Sequence, residues 1–264
     1  MPDARLDAAL AERGLARSRT HAAKLIDDGL VTVDGQPQVK PSYRVSETQS
    51  IEVAASDHYV SRAAHKLIAA LDAFRIPITG RLALDVGAST GGFTQVLLER
   101  GARRVVALDV GHAQLAPLVR ADPRVVVVEG ENARYLDEAR FAELSGSSDR
   151  PDVVVGDLSF IGLPLVIPAL RDVAAPDADL VLLIKPQFEV GKGGVREGIV
   201  RDAGLRHDAV ATVLWAAWDA GLGTAGLIDS PIAGNAGNRE YLVWFSARAG
   251  SIPAEWRDVF NGLA

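Results

Sequence analysis

From Leu82 onward the chain alternates short, unbroken apolar runs with helix-like segments, and this alternation constrains its fold more than any other feature. The runs LALDV, RVVALDV, VVVVEG, DVVVGDL, LVLLIKP, TAGLIDS and EYLVWFSA are strand-length and apolar at successive positions, not alternate ones. Such strands need both faces covered, which a mostly parallel sheet between two helix layers provides. Helical segments are expected at FTQVLLER, HAQLAPLVR, 134–144, after Pro164, and over 205–220. No run reaches the 18 or so apolar residues of a membrane span, and the charged start MPDARLDAALAERG does not read as a secretory signal. The absence of cysteine excludes disulfides and thiolate metal sites and fits a cytoplasmic location. The five histidines lack ligand spacing, so no metal is expected.

The first 55 or so residues read as a separate module. Leu6, Ala9 and Leu10 have helical spacing up to Gly14; Ser18 caps a second helix with Ala22, Ala23, Leu25 and Ile26 inside, ended by Gly29. Short strands follow around a turn at Asp34-Gly35, then at 43–45 and 50–54. The chain carries a net charge of −6, yet up to Lys66 it holds nine basic and nine acidic residues, so the acidic excess lies entirely in the remainder. Arg5, Arg13, Arg17, Arg19, Lys24, Lys40 and Arg44 are spread through the module; on their own they read as a solvated face. The stretch RLDAALAERGLARSRTHAAKLIDDGLVTVDGQPQVKPS, however, closely resembles the S4-type RNA-binding domain. That resemblance implies a phosphate-contacting surface at Arg5, Arg17, Ser18, Arg19, Lys24 and Lys40, extended by Arg62.

Between the first strand of the larger part and the next helix lies Asp85-Val86-Gly87-Ala88-Ser89-Thr90-Gly91-Gly92-Phe93. Glycines there let the backbone turn sharply under a ligand. The segment lacks the Gly-Lys-Ser/Thr of a phosphate loop, and Ser89 occupies the second glycine position of a dinucleotide fingerprint. Asp85 would repel a pyrophosphate but attract an ammonium and a sulfonium, which points to S-adenosylmethionine. Asp109, ending the second strand, is placed to accept ribose hydroxyls, and Asn132 could approach the adenine edge; alone, each is more commonly a turn residue.

Four polar residues stand where a sheet enzyme carries its chemistry: Lys66 on the preceding helix, Asp157 and Lys185 after two strands, and Glu240 at the start of the last strand. Each has a bland reading as a cap or solvated tip. Together, Lys66 in VSRAAHKL, Asp157 in GDLSF, Lys185 in IKPQFEVGKGG and Glu240 in GNREY resemble the Lys-Asp-Lys-Glu tetrad of FtsJ-like ribose 2′-O-methyltransferases. With the S4-like start, the chain resembles the TlyA family over nearly its whole length.

That resemblance implies a Rossmann-like class I S-adenosylmethionine methyltransferase domain with a seven-stranded, mostly parallel sheet whose last strand is antiparallel, behind a small α+β S4-type domain. The expected limits are 1–56 for the S4-like domain, 57–62 for a linker, 63–250 for the methyltransferase and 251–264 for a tail. The implied reaction is 2′-O-methylation of cytidine in large-subunit rRNA and, given the full first helix, in small-subunit rRNA. Ribosomal subunits are the implied partners of a monomer. Residues 57–60 (DHYV) stand where the family's linker motif usually carries tryptophan. Two lysines sharing a pocket favour a neutral form, so Lys185 is expected to act as base, with Asp157, also beside the cofactor, positioning it. Lys66 and Glu240 would complete the charge network. The glycine-rich segment 188–196 could clamp RNA or be a plain surface loop, and Trp215, Trp218 and Trp244 read as core. A small-molecule O-methyltransferase leaves the N-terminal module unexplained, a catalytically inactive rRNA-binding assembly factor leaves the intact tetrad unexplained, and a pore-former lacks a membrane segment.

Overall fold

The computed structural model describes residues 4–16, 18–53, 58–191, 194–234 and 237–263; Arg17 and the module boundary near residue 56 lie outside them. Strand β1 (Ala4–Arg5) leads into helix α1 (Leu6–Glu12), and α2 (Arg19–Asp27) packs against it. Ser18 caps α2 by accepting a hydrogen bond from the His21 amide at 3.1 Å. Strands β2 (Val31–Val33), β3 (Gln36–Pro37), β4 (Arg44–Val45) and β5 (Ile51–Val53) complete the module. They form a three-stranded sheet in the order β3-β2-β5 and a β1-β4 pair. The turn between β2 and β3 uses Asp34 and Gly35 at φ 50° and 76°, the left-handed pair that a two-residue hairpin requires. Leu6, Leu10, Ile26, Val31, Val33 and Val45 form the module's own core.

Helix α3 (Ala63–Phe74) precedes strand β6 (Leu82–Val86). The alternation continues through α4 (Gly92–Glu99), β7 (Arg104–Asp109), α5 (Pro117–Arg120), β8 (Val125–Glu129), α6 (Glu138–Ser145) and β9 (Val153–Gly156). It then runs through α7 (Ile167–Val173), β10 (Asp179–Ile184), α8 (Pro186–Glu189), α9 (Ala203–Asp219), β11 (Gly223–Asp229) and β12 (Tyr241–Ser246). The seven strands lie in the order β11-β12-β10-β9-β6-β7-β8, and β12, inserted between β11 and β10, is antiparallel to both. Consecutive strand residues point to opposite faces, and both faces are covered, which is why the runs are apolar throughout. On one side Ala83, Val155, Val181 and Leu183 meet Leu67 and Leu71 of α3 and Val96 and Leu97 of α4. On the other, Leu84, Val154, Leu182 and Val243 meet Ile167 and Leu170 of α7 and Val210 and Leu214 of α9.

Segment 251–263 folds back: α10 (Arg257–Gly262) lies against α9, and Phe260 joins the core. Two helical expectations and one of burial change. Of HAQLAPLVR only Pro117–Arg120 is α-helical. Residues 134–144 split into a 3-10 turn at Ala133–Tyr135 and α6, whose cap is Asp137. Trp215 and Trp218 are not core: they are 44% and 40% exposed on the outer face of α9, whose inner face is filled by Val210, Val213, Leu214 and Ala217. Trp244 is half-buried, donating its indole N–H to Asp179 Oδ1 at 2.9 Å. No helix among the described residues is long and apolar enough to cross a membrane.

Candidate active site

Between β6 and β9 the strand order reverses direction, and open α/β sheets bind ligands at the carboxyl ends of strands at such a point. A cavity of about 580 Å³ opens there, within the usual range for small-molecule sites. The turn after β6 forms one wall, and Lys66, Asp157, Lys185 and Glu240 line the other side.

The four come from α3, the end of β9, the end of β10 and the residue before β12, and they meet as one charge cluster. Lys66 Nζ donates to Glu240 Oε2 at 2.7 Å and lies 3.7 Å from Asp157 Oδ2. Lys185 Nζ lies 2.5 Å from Asp157 Oδ1 and donates to Ser159 Oγ at 2.8 Å. Asp157 therefore stands between the two ammonium groups. Burial by itself would push its carboxyl up, but Lys66 and Lys185 outweigh burial and hold it below its ordinary value. Lys66, Lys185 and Glu240 are all buried. The Glu240 carboxylate sits so close to Gly234 that a Cβ there would approach Oε1 to 2.4 Å, so a side chain at 234 would displace it.

The turn bends at its glycines as expected, but Asp85, Gly91, Asp109 and Asn132 do not line this cavity, and Asp109 borders a smaller pocket next to the turn. Gly87 and Gly91 have φ of 80° and 97°, and a Cβ on Gly91 would come within 2.8 Å of Leu115. Gly92 lets α4 begin against α3: a Cβ there would lie 3.0 Å from Ser61. Ser89 (φ 47°) and Phe93 line the cavity. Asp85 is fully buried beneath the turn instead of lining the cavity. Its Oδ2 accepts the Thr94 hydroxyl at 2.6 Å, while Oδ1 is buried without a partner. Burial pushes the Asp85 carboxyl up to about 7; the Thr94 bond opposes this and nearby Asp157 adds to it. A buried acceptor lacking a donor, with a second carboxylate near it, suits a cation such as the ammonium of an amino-acid moiety. Asp109 accepts the amides of Ser89 and Gly111 at 2.8 and 2.7 Å, and spare lone pairs leave it able to accept ribose hydroxyls. Asn132 does not line the cavity; its side chain caps the 3-10 turn by accepting the Arg134 amide at 3.0 Å.

In the N-terminal module, buried Asp7 binds Arg5 at 3.0 Å and Arg19 at 3.2 Å, fixing both guanidiniums on one surface. The two arginines hold the Asp7 carboxyl down at about 2. Ser18 spends its oxygen on the α2 cap, Lys24 pairs with Asp28 at 3.0 Å, and Lys40 is exposed. Arg62 lines the cavity and packs beside Gly29, so it touches both the module and the site.

Residues that sequence patterns did not single out also belong here. Ser159 holds Lys185. Phe160 is 91% exposed at the cavity mouth, at φ 65°, with its ring 5.2 Å from that of Phe188. An exposed aromatic held in a strained backbone conformation is a functional signal that appears only in three dimensions. Half-buried Glu189 accepts the Leu163 amide at 3.0 Å and so ties α8 to the loop carrying Phe160; partial burial pushes its carboxyl up to about 7. No group of three potential metal ligands exists among the described residues.

Comparison with known proteins identifies the family. Residues 59–247 match the FtsJ-like methyltransferase family, and residues 4–51 match the S4 domain. The chain is 53% identical over 244 residues to the 16S/23S rRNA (cytidine-2′-O)-methyltransferase TlyA of Mycobacterium tuberculosis, covering 91% of this chain and 89% of that one. It is 39% identical to hemolysin A of Brachyspira hyodysenteriae, over 91% of this chain and 99% of the relative. A solved structure of a protein from Streptococcus thermophilus, described as a putative hemolysin, superposes with a TM-score of 0.75 at 34% identity, covering 99% of this chain and 95% of that one.

Proposed function

The chain belongs to the TlyA family, an S4 domain joined to an FtsJ-like methyltransferase domain, and on that premise we infer that it methylates the ribose 2′-hydroxyl of cytidine in 23S and 16S rRNA. The observation that carries this reading is the convergence of Lys66, Asp157, Lys185 and Glu240 on one cavity, beside a glycine turn backed by an orphaned carboxylate oxygen. S-adenosylmethionine held by that turn supplies an electrophilic methyl group on a sulfonium. Asp85, Asp109 and the backbone of residues 87–92 would hold it.

The remaining work falls to the chain's own groups. Lys185, in its neutral amine form, would orient the ribose 2′-hydroxyl and take up its proton as the methyl group passes from sulfur to that oxygen, the electron pair of the broken C–S bond staying on sulfur. Asp157 and Ser159 fix the direction of the Lys185 amine. The Lys66–Glu240 pair braces Asp157 from the other side and borders the space for the ribose. Phe160, exposed beside Ser159, offers a face on which the target base stacks once drawn out of its helix. Arg5, Arg19 and Lys40 hold rRNA phosphates, and Arg62 carries that surface to the cavity mouth. The reaction takes place in the cytoplasm, where ribosomal subunits reside.

The test is methyl transfer from tritiated S-adenosylmethionine to unmodified 30S and 50S subunits, with modified nucleotides mapped by mass spectrometry. Wild type should yield 2′-O-methylcytidine, and Lys185→Ala should lose at least 100-fold in rate, about what general base catalysis contributes, while keeping its affinity for S-adenosylhomocysteine. No label on either subunit from a protein that binds the cofactor would overturn the assignment.

A further inference from the structure

The segment after α8 and the loop before β12 form a wall of the cavity whose charged side chains the tetrad chemistry does not use. Val195 and Gly198 line it from the first, Gly234 and Asn238 from the second. Residues Arg196–Ile199 form a tight hairpin: Arg196 and Ile199 exchange backbone bonds of 3.1 and 2.9 Å around Glu197 and Gly198 at φ 52° and 80°. Asn238, 2% exposed, fastens this hairpin to the second loop. Its Oδ1 accepts the Val200 amide at 3.0 Å and its Nδ2 donates to the Gly198 carbonyl at 2.7 Å. A buried amide with both ends bonded to another loop's backbone fixes the two loops relative to each other.

These loops display two exposed arginines, Arg196 and Arg239. Arg196 lies between the cavity-lining Val195 and Gly198, and Arg239 between the cavity-lining Asn238 and Glu240. Neither guanidinium has a hydrogen-bond or ion-pair partner among the described residues. The neighbouring acid, Glu197, is taken up by Arg201 at 3.0 Å. In a chain of net charge −6, two unmatched arginines adjoining cavity-lining residues add positive charge to that wall. Their fork of N–H donors fits phosphate oxygens.

We propose that Arg196 and Arg239, held in register by Asn238, clamp the backbone phosphates of the substrate strand next to the target ribose. This rests on the rRNA methyl-transfer reading above. The S4-type surface would then give affinity for the subunit at large, while the clamp keeps the target ribose in front of Lys185.

The experiment compares the full-length protein with the Arg196→Ala/Arg239→Ala double variant and with Asn238→Ala. Binding of unmodified 50S subunits is measured by filter retention between 50 and 200 mM salt, alongside KM and kcat for methylation. Each single-strand phosphate contact contributes about 0.7 to the slope of log K against log salt. The double variant should therefore lose about 1.4 from that slope and bind roughly 25-fold more weakly at 0.1 M salt. The loss should appear in KM for subunits more than in kcat, with calorimetric affinity for S-adenosylhomocysteine as in wild type. Asn238→Ala should weaken subunit binding in the same direction although both arginines remain. Unchanged subunit binding and salt slope in the double variant would overturn the clamp. Lost S-adenosylhomocysteine affinity with unchanged subunit binding would overturn it too, assigning the guanidiniums to the cofactor's carboxylate instead. A wild type that binds subunits without methylating them would count against the methyl-transfer reading alone, since the binding arm still tests the clamp.

Discussion

Replacing Asp85 by asparagine should make the protein more stable and less able to bind its cofactor. The carboxyl is fully buried, with Thr94 on one oxygen and nothing on the other, and its pKa stands at about 7. In the unfolded chain an aspartate titrates near 3.9. Between these values the native state holds more protons than the unfolded state, so stability falls as pH rises and levels off above 7. The cost of burying this charge in the free protein is on the order of 1.5 kcal/mol at pH 5 and 4 kcal/mol at pH 8. Asparagine keeps the shape and can still accept the Thr94 hydroxyl, but carries no charge. In a domain of this size each kcal/mol moves Tm by about 2–4 °C, so even a quarter of the pH 8 figure is readable. Scanning calorimetry at pH 5 and pH 8 should show Asp85→Asn melting above wild type, with the larger gap at pH 8. Calorimetric titration with S-adenosylhomocysteine should show wild-type affinity about tenfold weaker at pH 6 than at pH 8, because the ammonium needs the ionised carboxylate. The variant should bind more weakly and lose that dependence. A variant no more stable than wild type at pH 8, or a wild-type affinity flat from pH 6 to 8, would refute the reasoning.

Two further perturbations test the neighbouring groups. Glu240→Ala leaves the buried Lys66 ammonium with only Asp157 at 3.7 Å and should cost about 3–5 kcal/mol in urea unfolding, most of it regained in Lys66→Met/Glu240→Leu; a loss below 1 kcal/mol would show the pair is solvated. Phe160→Ala should reduce kcat/KM for subunits by about 5- to 150-fold, the 1–3 kcal/mol of one base–aromatic stack, and Phe160→Trp should restore most of it; equal losses in both variants would rule out stacking.

The strand-helix alternation was readable because burial on both faces of a parallel sheet leaves a mark on every residue of a strand. The turn after β6 was readable because only glycine tolerates φ of 80° and 97° with Leu115 packed against it. Surface helices were less legible. Trp215 and Trp218 are as apolar as core residues, and nothing in their spacing along α9 reveals that Val213, Leu214 and Ala217 take the inner face. Asn132 carries the right chemistry for an adenine contact and the right chemistry for a cap, and here it caps. Phe160 lies in a loop, where no periodicity speaks for it.

Residue order alone, then, determined a doubly covered sheet, a glycine turn after its first strand and a separate small module in front, and it marked four polar residues as candidates for the reactive set. Each of these rests on local chemistry or on a repeat that burial imposes along the chain. Only the tertiary structure brought Lys66 within 2.7 Å of Glu240 across 174 positions, placed Asp157 between two ammonium groups, and joined two arginine-bearing loops through Asn238. It also decided that Asp85 lies beneath the turn with one oxygen unpaired. Distances, partners and burial depend on which strands become neighbours. Inserting β12 between β10 and β11, which carries Glu240 to the tetrad, is a choice made by packing over the whole sheet.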